Sequence, residues 1–357
     1  MKIVFLINGL GLGNSTRCHA IIEQLVKKKV EVFVISSGNG LWYFNGISQI
    51  SKVFEIQALY YGSKNGKIDI LSTIKSIGSF IKISRNNSKK IFNILYSIKP
   101  DLVISDSVYT YKPMRKLKIP LLALNNSDMV CKAYKWFGDA PMSVKAQFYL
   151  VEKMDFLYHK LIPDLVISPT LMNFGETNAK FKKVGPIVRM NCKVSKKKNT
   201  SLKVAVMLSG STFGSPVIFS KNDYGFQIDV LGRPFPKDWR GAKTIKYHGK
   251  TKDSQSILKS ADLMVVNGGF SAVSEAFVMR KPVIVIPVPN HAEQWVNART
   301  IMELGVGEIA TEENFVDKML EMITKLSDYT KNYLKFSGNE NSALQSAKII
   351  MDSVVRK

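Results

Sequence analysis

Short apolar runs alternate with amphipathic stretches along the whole of this chain, and the pattern starts twice. In the first half the runs are Ile3–Ile7, Val30–Ile35, Val53–Ile56, Leu102–Ser105, Leu121–Asn125 and Leu165–Ile167. In the second they are Val204–Leu208, Gln227–Leu231, Thr244–Tyr247, Leu263–Val266 and Val283–Pro287. Brief continuous apolar runs separated by helical segments are the signature of strands buried on both faces of a parallel sheet. Between the first two runs, Ser15–Lys28 places Cys18, Ile21, Ile22 and Leu25 at i, i+3, i+4 and i+7, one face of a helix. The expectation is an α/β chain of two doubly wound units. No motif recurs between the halves, so they share an architecture and are not a sequence repeat.

The boundary follows Gly185-Pro186, where 189–199, with Ser195-Lys196-Lys197-Lys198-Asn199, carries no apolar periodicity. It reads as a solvated linker whose lysine run holds no ligand. The units are then 1–188 and 200–340, and 357 residues are enough for each to bury a core of its own. Residues 341–357 include Ser342–Val355, helical in pattern and able to pack back on either unit.

Composition removes several classes of function. At 45% apolar and 10% aromatic the chain is not a disordered one. Fifty-one Lys+Arg against 28 Asp+Glu leave a net charge of +23, but only nine of the basic residues are Arg. Nucleic-acid readers lean on Arg forks, so a lysine excess spread along the chain argues for a solvated surface or attraction to an anionic membrane, not for nucleic acid. Cys18, Cys131 and Cys192 are too scattered for a disulfide framework or a zinc site, which points to a reduced, cytoplasmic setting. No run approaches the roughly 18 apolar residues of a membrane span, and Met1–Ile7 is too short for a signal sequence.

Two glycine turns carry the chemistry. The first strand runs into Asn8-Gly9-Leu10-Gly11-Leu12-Gly13-Asn14-Ser15-Thr16-Arg17, where backbone amides and the positive end of a helix can meet an anion. A nicotinamide dinucleotide would call for G-x-G-x-x-G and an acid ending the second strand. Here the spacing is G-x-G-x-G and that strand ends in Ser36-Ser37-Gly38, which speaks against a dehydrogenase. The second turn, Asn267-Gly268-Gly269-Phe270-Ser271, leads into a helix with Glu275 one turn on. Such an N-terminus can hold a diphosphate on its amides and the Ser271 hydroxyl, while a carboxylate one turn in can accept both hydroxyls of a ribose. After the next strand come Glu293 and Gln294, just past a carboxyl end, where open α/β sheets bind ligands.

The run Gly268-Gly269-Phe270-Ser271…Glu275, then Lys281-Pro282-Val283…Pro287, then Glu293-Gln294…Asn297-Ala298 resembles the donor-site signature of GT-B glycosyltransferases of the family 28 type, with the related family 1. The first half agrees: Gly9–Arg17 looks like the family's N-terminal glycine loop, Pro100–Asp106 like its central strand ending in an acid, and Val184-Gly185-Pro186-Ile187 like its domain junction. The resemblance implies a GT-B fold, two Rossmann-like units facing a cleft. The second unit would take a nucleotide-sugar, a UDP-sugar above all, as co-substrate, with no separate cofactor. Glu275 would hold the ribose, and Gly268, Gly269, Phe270 and Ser271 would face the diphosphate together with a second loop at Gly210 and Ser211. Tyr247 and His248 would lie along the base, and Glu293 and Gln294 would hold the transferred sugar. Gly11, Gly13 and Arg17 would form the acceptor-side loop of the first unit.

No Asp-x-Asp occurs, which fits a metal-independent transferase that neutralises the leaving diphosphate with amides and helix dipoles, and the resemblance implies that it inverts. One departure stands out: Asn14 follows Gly13 where the family commonly has the His assigned as base, and Asn takes no proton near neutral pH. Asp106 is then the expected base, with Asn14 orienting the acceptor, and His19, five residues on, the alternative. The same departure leaves two other readings open, a nucleotide-sugar hydrolase and a non-catalytic nucleotide-sugar-binding subunit. Ile68–Tyr96 and Lys132–Lys160 mix apolar and basic residues; they read as ordinary core helices with solvated outer faces, or as stretches that seat the protein peripherally on an anionic membrane beside a glycan, lipid-linked or small-molecule acceptor.

Overall fold

A computed structural model describes residues 1–58, 63–64, 67–68, 77–175, 178–189, 201–208, 217, 219, 223–236, 243–252, 254–336 and 341–355. The chain makes two parallel sheets. Strands β1 (Lys2–Ile7), β2 (Glu31–Ser36) and β3 (Lys52–Glu55) are followed by a small antiparallel hairpin, β4 (Ser63–Lys64) and β5 (Lys67–Ile68). Then come β6 (Leu102–Asp106), β7 (Leu121–Leu124), β8 (Leu165–Pro169) and β9 (Phe181–Val184). Without the hairpin these form a seven-stranded sheet, β3-β2-β1-β6-β7-β8-β9. The second unit contributes β10 (Lys203–Met207), β11 (Gln227–Leu231), β12 (Ile245–Gly249), β13 (Leu263–Asn267), β14 (Val283–Ile286) and β15 (Gly307–Ile309), in the order β12-β11-β10-β13-β14-β15.

Helices of the first unit are α1 (Gly13–Lys27), α2 (Gly38–Phe44), α3 (Ile77–Ile98), α4 (Lys112–Leu117), α5 (Ser127–Phe137), α6 (Met142–Gln147) and α7 (Lys153–Leu161), with a π-helical turn at Phe148–Glu152. In the second unit they are α8 (Gln255–Ser260), α9 (Phe270–Val278), α10 (Ala292–Glu303), α11 (Phe315–Thr324) and α12 (Leu326–Asn332), and α13 (Ala343–Val355) ends the chain. None of the described helices is long and apolar enough to cross a membrane.

Ile3, Phe5 and Ile7 point to one face of the first sheet, into a core with Ile21, Ile22 and Leu25 of α1, while Val4 and Leu6 point to the other, onto Ile91 and Leu95 of α3. The period-2 alternation of a strand buried on both faces explains why each run reads as continuously apolar. In both sheets the strand order reverses at the first strand of the unit: between β1 and β6, and between β10 and β13. At such a reversal the loops leave on opposite faces and a crevice opens beyond the carboxyl ends. Ile7 pairs with Asp106 there, and Met207 with Val266. Both glycine turns read from the sequence thus lie at topological switch points.

Alternation of apolar runs missed two edge strands. Phe181-Lys182-Lys183-Val184 forms β9 with two lysines, a common way to keep an edge from pairing further, and β15 is only three residues long. The last helix packs on the first unit: Ala343, Ala347 and Ile350 share a core with Ile21 and Leu25, and Ser342 N–H donates to the Pro186 carbonyl at 2.8 Å. Chain that leaves the first unit near Pro186 therefore returns to it at the end.

Candidate functional site

The two switch points face each other. Ser271, in the first turn of α9, donates its hydroxyl to the Gly13 carbonyl at the start of α1, at 2.9 Å. Four of the five glycines at these turns divide by what surrounds them, and Gly13 faces Ser271. A Cβ on Gly9 would strike the Ser37 carbonyl, and one on Gly268 would come within 2.9 Å of the Gln294 Cβ, so these two are glycine for the fold. Around Gly11 and Gly269 a Cβ would meet nothing within 4 Å. Their bareness leaves backbone open to the crevice, as close approach of a ligand to the main chain requires.

Glu275 lies one turn below Gly269 on α9. Its carboxyl is buried, 7% exposed, and has no hydrogen-bond partner among the described residues. Burial pushes it up to about 7, against the pull of the Arg189 charge. A buried acid left without a donor is costly for the fold, and the arrangement is the one expected where a ligand supplies the missing hydrogen bonds. Gln294, at the N-terminus of α10, accepts from Val288 N–H at 2.9 Å through its side-chain oxygen, and its amide group makes no hydrogen bond among the described residues. Asn297 fixes the glycine turn by donating to the Gly268 carbonyl at 2.9 Å. Glu293 is half-buried on the same turn of α10 as Gln294, and burial raises its carboxyl. Tyr247 turns into the core and donates to the Val217 carbonyl, and His248 pairs with Asp229 at 2.6 Å. Gly210 and Ser211 lie outside the described residues.

On the first unit Asp106 ends β6 with no solvent exposure. Arg17 of α1 holds both its oxygens, Nη2 to Oδ1 at 2.7 Å and Nε to Oδ2 at 3.1 Å, and the Cys18 thiol adds a contact to Oδ2 at 3.3 Å. Arg17 also reaches Asn14 Oδ1 at 3.5 Å. Asn14, Arg17 and Asp106 are thus one connected group, with the guanidinium at its centre. His19 points elsewhere: Nδ1 lies 2.9 Å from the Tyr43 hydroxyl, its ring packs edge-on to Tyr43 and Phe44, and burial, with Arg189 second, lowers it to about 4. A neutral imidazole in the core is placed for packing.

Two residues outside the expected set join this neighbourhood. Arg189, read from the sequence as the start of a solvated linker, instead donates to the Tyr43 hydroxyl at 2.7 Å and bears on both His19 and Glu275. The linker reading is corrected at that residue; 190–199 lie outside the described residues. Glu152 was hidden in a stretch read as apolar and basic, and is buried against the N-terminus of α10. An acid amid Tyr149-Leu150-Val151 was the only trace of it in the sequence.

With this geometry in view, comparison with known proteins decides the family. A profile described as glycosyl transferase family 1 matches residues 1–326. The chain belongs to that family. It is a glycosyltransferase of GT-B fold, related to the family 28 group as well as to family 1. An uncharacterized glycosyltransferase of Methanosarcina acetivorans is 25% identical over 349 residues, covering 91% of this chain and 90% of its own. The UDP-N-acetylglucosamine–N-acetylmuramyl-(pentapeptide) pyrophosphoryl-undecaprenol N-acetylglucosamine transferase of Elusimicrobium minutum is 31% identical over 150 residues, 38% of this chain and 41% of that one. Among solved structures, the glycosyltransferase SsfS6 of Streptomyces sp. SF2575, complexed with thymidine diphosphate, aligns with a TM-score of 0.62 at 16% identity over 99% of both chains. MurG of Acinetobacter baumannii aligns with a TM-score of 0.57 at 14% identity, covering 100% of this chain and 99% of its own. These likenesses carry the fold of this glycosyltransferase; its substrates rest on the residues of the site.

Proposed function

We propose that the second unit binds a nucleotide-sugar, specifically a UDP-sugar, and that an acceptor hydroxyl bound by the first unit displaces the nucleoside diphosphate in one inverting step without a metal. The observation that carries this is Glu275: a largely buried carboxyl with no hydrogen-bond partner among the described residues, one turn below an open glycine at a switch point. A ribose diol supplies two O–H donors to such a group. The amides of the α9 N-terminus beside Gly269 face the diphosphate and offset the charge it gains as the bond to the anomeric carbon breaks. Glu293 and the side-chain amide of Gln294 hold the sugar. A UDP-sugar donor named for the Elusimicrobium relative and the diphosphate bound by SsfS6 agree with this reading.

The acceptor proton goes to Asp106 in this scheme, with Asn14 orienting the hydroxyl. Because Arg17 occupies both Asp106 oxygens, acceptor binding must draw the guanidinium from one of them before the carboxylate can act.

The acceptor side also supports a membrane-surface location. Trp136, Met142, Tyr149, Leu150, Met154, Leu157 and Leu161 are exposed on α5–α7 and the π-helical turn, among exposed Lys135, Lys153 and Lys160. Apolar side chains ringed by lysine suit the boundary of an anionic bilayer. The protein is expected to co-sediment with vesicles containing phosphatidylglycerol and not with pure phosphatidylcholine; equal recovery with both would remove the membrane from the account.

The donor assignment is tested by calorimetric titration. A UDP-sugar is expected to bind at one site per chain and to be displaced by UDP. Absence of binding by any uridine or thymidine diphosphate sugar would refute it.

A further inference from the structure

Outside the residues assigned to donor and acceptor, one buried acid touches the site. We propose that Glu152 is a positioning residue for Glu293: a carboxyl of the first unit that grips the N-terminus of α10 and fixes the neighbouring carboxylate for the donor sugar. The inference rests on the reading that the first turn of α10 faces that sugar.

The first amides of a helix have no partner within it. At α10 the first unit supplies two. Gln147 accepts from Ala292 N–H at 2.9 Å, and the Glu152 carboxyl accepts from Glu293 N–H. Gln147 in turn donates to Glu152 Oε1 at 2.8 Å, so the two side chains form a single clasp. A π-helical turn aims them: Phe148 and Glu152 face inward while Tyr149, Leu150 and Val151 face solvent. Insertions of this kind re-aim side chains and recur at functional sites. Phe148 stacks on Tyr134 at 3.6 Å between centroids, and Trp295 of α10 packs edge-on to Tyr134 and Phe137. Val144 and Phe148 share a core with Ala292 and Val296, so the clasp is backed by apolar packing across the two units.

Charge gives the clasp a second property. Glu152 is faced by Glu293 from α10, by Asp155 from α7 and by the Cys131 thiol from α5, where Asp128 also bears on that thiol. Asp155 is held low despite its burial, by His159, Asn125 and Tyr109. Burial raises Glu293 as well, with Asp155 and Asp106 adding to it and Arg17 and Asn297 pulling the other way. Glu152 has Gln147 and one amide, and burial, then the charge of Glu293, pushes it up to about 8. At neutral pH Glu152 therefore keeps its proton. With its value raised in the folded protein, the clasp is intact below about pH 8 and is lost as pH rises through that value, when Glu152 takes on a charge against Glu293 across the interface.

Two measurements on the full chain test this. Hydrogen exchange of the peptide spanning 289–297, corrected for intrinsic rates, needs no substrate. Wild type is expected to lose protection there above pH 8, Glu152→Gln to keep it, and Glu152→Ala to lack it already at pH 7. In turnover, kcat/KM for the UDP-sugar should fall above pH 8 in wild type, and Glu152→Gln should abolish that alkaline limb. Glu152→Ala should raise the donor KM about tenfold with a smaller change in kcat, the loss of one hydrogen-bonded contact. An alkaline limb and exchange profile unchanged in Glu152→Gln would overturn the proposal. The expected exchange profile in a protein that binds no nucleotide-sugar would overturn the donor reading and the role for Glu293, while leaving the clasp as an interface lock.

Discussion

Replacing Glu275 with alanine is expected to weaken UDP-sugar binding roughly 100-fold, the loss of charge-assisted hydrogen bonds at about 1.5–3 kcal/mol each. The wild-type protein should show a matching pH dependence. Only the ionised carboxylate accepts both ribose hydroxyls, and with Glu275 at about 7 the binding-competent fraction rises about tenfold between pH 6 and pH 8. Stability runs the other way. A carboxyl raised from 4.5 to about 7 by burial binds its proton more tightly in the folded state than in the unfolded one. Its contribution is therefore complete below pH 4.5 and is lost as pH rises through 7, at a cost of about 3 kcal/mol by the usual 1.36 kcal/mol per pH unit. Glu275→Gln should accordingly raise Tm at pH 8, leave it unchanged at pH 4, and bind donor poorly at both. A variant that binds donor normally would take Glu275 out of the donor site; one with no gain in Tm at pH 8 would mean that the acid is stabilised by something other than ligand.

The second large effect is on the Arg17–Asp106 pair. Arg17→Met strands a buried carboxylate, a change that costs about 3–5 kcal/mol when one partner of a buried pair is removed. A steep fall in Tm is expected, and much of it should return in the double variant Arg17→Met/Asp106→Asn, because the second change removes the stranded charge. Asp106→Asn alone keeps the shape of the group, and the donor site lies on the other unit. It is expected to retain donor affinity and lose turnover, measured per folded enzyme. Retained turnover would send the acceptor proton to another group; a double variant no more stable than Arg17→Met would show that the pair is not what holds β6 to α1.

What the sequence could disclose depended on how local each feature is. A strand, a glycine turn and a helix N-terminus are contiguous in the chain, so the openings at Gly9–Arg17 and Gly268–Glu275 were legible together with the α/β class. The topological reason that both lie at a crevice, reversal of strand order beside β1 and β10, appears only when the sheets are assembled. Glycine itself was ambiguous. Gly9 and Gly268 are bare because backbone or side chain fills the space, Gly11 and Gly269 although nothing does, and no spacing rule separates the two cases. Side chains whose partners are remote stayed hidden. Asp106 read as the base at a strand end, and its two oxygens are taken by a residue 89 positions away. His19 sat at a plausible distance from Asn14, but helical geometry turns it into the core toward Tyr43. Arg189 looked like the first residue of a charged linker, and Glu152 had no reading of its own within Lys132–Lys160. Both take their meaning from packing between units, which sequence periodicity does not encode.

The central claim is that sugar passes from a nucleotide on one unit to a hydroxyl on the other, and the most direct measurement is the fate of the label. A UDP-sugar carrying label in the sugar, incubated with the enzyme and a membrane lipid and glycan extract, is expected to yield UDP and labelled acceptor in equal amounts, with neither formed when the extract is left out. Label released as free sugar at the same rate with or without the extract, or donor bound and never consumed, would contradict it.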